Sequence, residues 1–157
     1  MAETLCICGN TKEDLYANLF PQLKSLVDGE SDIIANMANI SACLMETFKF
    51  LWVGFYRVVD DELVLGPFQG PLACTRIMKG KGVCGSAWKE EATIIVPDVE
   101  KFPGHIACSS DSRSEIVVPM WCKNKLCAVL DIDSTELNTF DTTDKLWLEK
   151  IVELLNR

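Results

Sequence analysis

Three of the eight cysteines, Cys74, Cys84 and Cys108, fall in two glycine-bearing stretches, 70–92 and 97–113. Connections of that length inside a domain are usually functional. A thiolate in such a segment is a nucleophile and a two-electron reductant. It is oxidised to a sulfenic acid, and a second thiol within reach condenses with that species to a disulfide. The other cysteines are placed differently. Cys43 lies in a helical pattern, Cys122 and Cys127 flank a strand turn where a small apolar side chain packs well, and Cys6 and Cys8 form a C-x-C pair. None of these belongs to a paired C-x-x-C set, and the only histidine is His105, so no metal is expected. Residue types alone point to thiol redox chemistry and nothing narrower.

Carboxylates offer a second set. Asp131 and Asp133 are two apart in a β-branched run, so a strand turns both to one face and Ile132 to the other. Such a pair accepts several hydrogen bonds from an ammonium group. The competing reading is a solvated pair at a strand end before Ser134-Thr135. Trp52 and Tyr56 also share a strand face, as a pocket wall or as ordinary core aromatics. His105 reads as structural. Arg113 reads as a cation that steers a carboxylate or lowers a thiol pKa. The glycines Gly80 and Gly82 lack the GK[ST] ending of a phosphate loop.

These residues need a scaffold. The 157 residues suffice for one domain with a real core, and residues 1–157 are expected to form it. Residues 11–27 read as a helix with Leu15, Leu19, Leu23 and Leu26 on one stripe and Pro21 as a kink or restart. Capped at Ser31 or Asp32, a second helix buries Ile33, Met37, Ile40, Leu44 and Phe48. Hairpin patterns follow at 51–68, around the turn Asp60-Asp61-Glu62, and at 115–133, around Lys123-Asn124-Lys125. A short helical turn at 83–89 and a short strand at 93–96 lie between them. Asp141 caps a last helix with Leu148, Ile151 and Leu155 inward. Helices at both ends of an antiparallel sheet of about six strands make an α+β domain.

A net charge of −8 without clustered Lys or Arg argues against nucleic acid and anionic membranes. No run approaches a membrane span and Met1–Asn10 has no signal-peptide pattern, so a cytoplasmic location is expected. Structural disulfides are not a resource there.

The segments KGKGVCGSAW, VPDVEKFPGHIACSSDSRSEIVVP and VLDIDS, with LWVGFYRV, resemble the free methionine-(R)-sulfoxide reductases, a family of GAF-type proteins. The likeness runs from about residue 50 to the C-terminal helix. It implies a GAF-like domain that reduces free L-methionine (R)-S-oxide to L-methionine without a cofactor. By the same resemblance Cys108 attacks the sulfoxide sulfur and becomes a sulfenic acid. Cys74 resolves it as a disulfide, and Cys84 is a third cysteine, relaying oxidising equivalents or serving as alternate resolver. Glu115 contacts the substrate oxygen, Asp131 and Asp133 hold the amino group, and Trp52 and Tyr56 form an aromatic wall around the methyl group. Thioredoxin is the implied reductant, and a homodimer is compatible with the family. Disulfide formation requires Cα atoms about 5.5 Å apart, which a long loop carrying Cys74 suits. Which pair is bonded at rest, what holds the substrate carboxylate, and what Cys6, Cys8, Cys43, Cys122 and Cys127 do are left open.

Two other functions fit parts of the pattern. A non-catalytic GAF sensor of small ligands is expected to be joined to an output domain and has no use for three loop cysteines. A general thiol peroxidase would consume peroxide far faster than sulfoxide.

Overall fold

The computed structural model describes residues 4–106 and 108–157. Helices α1 (Lys12–Asp28) and α2 (Ile33–Phe48) lead into a hairpin of β1 (Trp52–Val59) and β2 (Glu62–Gln69). Then come β3 (Arg76–Met78), α3 (Gly82–Glu90), β4 (Ile94–Val96) and a single 3₁₀ turn at Val99–Lys101. The hairpin β5 (Ser114–Cys122) and β6 (Lys125–Ser134) precedes α4 (Thr142–Glu153). The strands form one sheet in the order β3-β2-β1-β6-β5-β4, and every neighbouring pair is antiparallel. This is the expected α+β architecture.

Local sequence explains most boundaries. Thr11 and Asp14 form a capping box at the start of α1, and Asp141 and Asp144 form another on α4. Both tight hairpins turn through paired left-handed residues, Asp60-Asp61 (φ 49° and 62°) and Lys123-Asn124 (φ 49° and 64°). Such turns match the twist of the strands they join.

The two faces of the sheet bury different sets of side chains. On one, Val53, Phe55, Ile116, Val118, Leu130 and Ile132 meet the inward faces of α1, α2 and α4. The other face carries Trp52, Tyr56, Val117 and Val129 against α3, and this second, smaller core holds the candidate site.

Three expectations need correction. Pro21 does not restart the helix, since α1 runs unbroken through it. Pro21 and Ala17, the residue one turn back whose carbonyl loses its partner, are both exposed, so water can satisfy that carbonyl. The buried stripe is Tyr16, Leu19, Leu23 and Val27, with Leu15 and Leu26 only half-buried. Residues 76–78, read as loop, form edge strand β3, three residues long with only Ile77 buried. The helical turn expected at 83–89 is present as α3, one residue longer at each end.

Cys122 and Cys127 are a further correction. Read as separate packing residues, they are joined by a disulfide, with Cα atoms 5.8 Å apart. In the ladder Met120 pairs with Ala128 but Trp121 with Leu126, leaving Cys127 as the extra residue of a bulge. Because Cys122 pairs with Lys125, Cys127 lies on the same face as Cys122, the one packed on the helices and away from the second core.

Candidate active site

One cavity lies against the second face of the sheet, between α3 and the segments 72–73, 105–106 and 108–112. Among its lining side chains are Trp52, Tyr56, Cys84, Cys108, Glu115, Asp131 and Asp133. The eighth expected residue, Cys74, reaches it through a disulfide to Cys108, with 5.8 Å between Cα atoms and 34 positions between them in sequence. The pairing left open by the sequence is therefore Cys74–Cys108. Cys108 is exposed and Cys74 half-buried.

Strand register brings the carboxylates together. Trp52 pairs with Asp133 and Gly54 with Asp131 across β1 and β6, while Glu115 pairs with Asp133 across β5 and β6. With Ile132 in the opposite core, Asp131 and Asp133 both face the cavity, as the two-residue period requires. Asp131 is only 6% exposed, so it is not the solvated strand-end carboxylate of the competing reading, and Glu115 is 5% exposed. Burial, then the charge of Asp133, raises the pKa of Glu115 well above the usual carboxylate range, and burial, then the charges of Glu115 and Asp133, does the same for Asp131. Asp133 is raised to about 6 by burial, moderated by the Ser112 hydroxyl and by the charge of His105. Oδ1 of Asp131 is buried without a hydrogen-bond partner.

Cys84 enters at the start of α3, which begins at Gly82 in a left-handed conformation (φ +60°). Its thiol is free, buried and hydrogen-bonded to Asp131. Burial and the surrounding carboxylates raise its pKa, so it stays protonated. The Cys84 sulfur and carboxylate oxygens of Glu115 and Asp131 all lie within 4.8 Å of one another.

The aromatic pair sits across from these groups. Trp52 and Tyr56 stack at 5.9 Å between ring centroids, and Phe68 stacks on Trp52 at 5.3 Å. Gly54 makes this possible, because a Cβ there would meet the Trp52 ring at 2.5 Å and Phe68 at 2.4 Å. The polar tips hold the cysteine loop: the Trp52 indole N–H donates to the Pro71 carbonyl (3.1 Å) and the Tyr56 hydroxyl to the Cys74 carbonyl (2.9 Å).

Two lining residues that meet the carboxylates are absent from the sequence-based set. His105, read as structural, places Nε2 3.6 Å from Oε2 of Glu115. Ser112 donates from its hydroxyl to Asp133 (2.5 Å). Both sit in a loop without periodicity, where only their position inside GHIAC and SRSE marked them. Arg113, by contrast, is half-exposed, pairs with Glu100 at 3.1 Å and does not line the cavity. Its backbone instead ties the loop to β6, donating to the Ser134 carbonyl (2.7 Å).

The arrangement combines a disulfide, buried carboxyl groups and aromatic rings at one cavity. The whole chain is similar to known proteins. The GAF domain family matches residues 23–157. A GAF domain-containing protein of Dictyostelium discoideum is 58% identical over 99% of both chains. The free methionine-R-sulfoxide reductase of Escherichia coli is 45% identical, over 93% of this chain and 89% of its own. A solved structure, the free methionine-R-sulfoxide reductase of Neisseria meningitidis in complex with its substrate, superposes with a TM-score of 0.95 at 51% identity. The match covers 97% of this chain and 92% of that one. The chain therefore belongs to the free methionine-(R)-sulfoxide reductase family and is an oxidoreductase built on a GAF domain.

Proposed function

We propose that the protein reduces free L-methionine (R)-S-oxide to L-methionine in the cytosol, with thioredoxin as the electron donor. The observation that carries this reading is the meeting of the Cys74–Cys108 disulfide with Glu115, Asp131 and Asp133 at one cavity. The substrate's ammonium group supplies the positive charge that the buried carboxylates lack, and Asp131 and Asp133 accept its hydrogen bonds. A peptide-bound methionine sulfoxide has an uncharged amide there and is excluded. Trp52 and Tyr56 pack the methyl group, which favours one epimer at sulfur.

In the first step the Cys108 thiolate attacks the sulfoxide sulfur. Glu115, kept protonated by burial, delivers a proton to the oxygen as the S–O bond breaks. Cys108 is then bonded to the substrate sulfur and the oxygen has left as hydroxide. Hydroxide attacks the Cys108 sulfur, the S–S bond breaks with its electron pair going to methionine, and Cys108 is left as a sulfenic acid. The Cys74 thiol then attacks that sulfur, the disulfide forms and water leaves. A thioredoxin dithiol reduces the disulfide through a mixed disulfide and is itself oxidised. Exposed Cys108, with exposed Leu72 and Ile106 nearby on the same two loops, gives such a partner access. Cys84 lines the same cavity as a third thiol and serves as alternate partner for Cys108 when Cys74 is lost.

The test follows NADPH consumption through thioredoxin and its reductase with the two epimers of free methionine sulfoxide, an oxidised peptide and hydrogen peroxide. Turnover of the free R epimer alone, lost in Cys108→Ser, is expected. Equal turnover of the peptide, or faster turnover of peroxide, overturns the reading.

A further inference from the structure

The two-thiol cycle makes no direct use of Cys84 while Cys74 is present. Yet its buried sulfur shares a 4.8 Å cluster with oxygens of Glu115 and Asp131. A second observation points to a missing ligand: Oδ1 of Asp131, on a residue 6% exposed and lining the cavity, has no hydrogen-bond partner. A third is the imidazole of His105, with Nε2 3.6 Å from Glu115.

We propose that this cluster is a zinc(II) site, with Cys84, Glu115 and Asp131 as ligands and His105 as the fourth, and that zinc inhibits the enzyme by occupying the place of the substrate's ammonium group. The inhibitory consequence rests on the function proposed above; the binding itself does not. Thiolate, carboxylate and imidazole are the donors that zinc prefers in tetrahedral sites. With a Zn–S distance of about 2.3 Å and Zn–O near 2.1 Å, tetrahedral ligands stand roughly 3.4–3.6 Å apart. The three clustered donors therefore close by at most about 1.4 Å, and His105 approaches from beside Glu115. Binding displaces the proton from the Cys84 thiol and the proton held by the Glu115 and Asp131 carboxyl groups. The divalent charge then offsets the carboxylates that burial leaves uncompensated. No electrons move, and the ion leaves on chelation.

The site is tested with cobalt(II), whose bonds to thiolate give a near-ultraviolet charge-transfer band. The full-length protein is used with Cys74–Cys108 and Cys122–Cys127 oxidised, as in the structure. One cobalt per chain and a thiolate band are expected. Cys84→Ser is expected to abolish the band, and Asp131→Asn to keep the band while weakening binding about tenfold or more, as loss of a ligand does. Zinc is expected to displace cobalt, and L-methionine to raise the apparent Kd for both. A band that survives in Cys84→Ser, or no saturable binding at one ion per chain, overturns the site. Unchanged affinity in Asp131→Asn, which retains the thiolate, does the same if Cys84→Ser fails to fold. In the reductase assay zinc is expected to raise KM without lowering kcat. Inhibition that methionine sulfoxide cannot relieve overturns the competitive mode alone, and absence of turnover in that assay leaves the cobalt result standing.

Discussion

Glu115 on β5 and Asp133 on β6 stand directly opposite each other in the central hairpin, both facing the cavity. Like charges opposed in a ladder destabilise it, and here burial adds to the effect. Burial and the charge of Asp133 favour the protonated form of Glu115, so the two carboxyl groups are not both charged.

Stability should therefore fall as pH rises. Asp133 is raised from its ordinary value near 4 to about 6. A raised acid stabilises the fold fully below the unfolded pKa and loses that contribution as pH passes through the folded one. Between about pH 4 and 6 the ligand-free protein should lose on the order of 2–3 kcal/mol from this group. Asp133→Asn should flatten that fall, as read by urea unfolding across pH 4–7. A wild-type curve flat over that interval contradicts the buried cluster.

The same groups shape the catalytic pH profile. Asp133 must be ionised to hold an ammonium group, so kcat/KM should rise through about pH 6. Ser112→Ala removes a hydrogen bond that favours the ionised form and should move the rising limb upward. Glu115→Gln retains shape but cannot give up a proton, and should lower kcat by about 10²–10⁴. A kcat within a factor of a few of wild type would show that the proton comes from elsewhere.

Much of this site was legible in the sequence because strand periodicity is strict. Even spacing put Asp131 with Asp133, and Trp52 with Tyr56, on common faces, and the ladder kept them there. Glu115 was given a role only by the family resemblance, since nothing local tells which residue of a strand its neighbour will oppose. His105 and Ser112 were missed because irregular backbone carries no period from which direction can be read. The Cys122–Cys127 bond was illegible for another reason. It depends on the register of the turn, Cys122 opposite Lys125, which sets Cys127 on the face of Cys122 and which the strand patterns do not fix. β3 escaped because three residues at a sheet edge bury one side chain, too little for a pattern.

Tyr56 links the pocket wall to the resolving loop through its hydrogen bond to the Cys74 carbonyl. Tyr56→Phe should leave the first release of methionine nearly unchanged and slow disulfide closure. A hydrogen bond of about 1 kcal/mol corresponds to roughly fivefold. Quenched-flow thiol counting separates the two steps. A variant that slows methionine release instead would place the Tyr56 hydroxyl in the chemical step.

Gly54 gives the Trp52 ring its seat. A methyl group there meets Trp52 and Phe68 at distances that force a ring to move. Gly54→Ala should destabilise the protein by about 1–3 kcal/mol, in the range of an overpacked core. KM for the sulfoxide should rise more than kcat falls. Unchanged stability and KM would mean that the stacked wall is not what shapes the pocket.

Cys74→Ser combined with Cys84→Ser removes both thiols available to Cys108 at the cavity. A sulfenic acid at Cys108 should then persist after one turnover, trapped by dimedone and located by peptide mass spectrometry. Modification at any other cysteine would reassign the nucleophile.

The central claim is tested most directly by a single turnover without added reductant. Fully reduced protein is mixed with excess free methionine (R)-S-oxide or its S epimer, and methionine is counted against thiols lost. About one methionine per chain in a first rapid phase, two thiols lost as the Cys74–Cys108 disulfide, and none from the S epimer or from Cys108→Ser is the expected result. No methionine from either epimer, or methionine formed with Cys108 replaced, would contradict it.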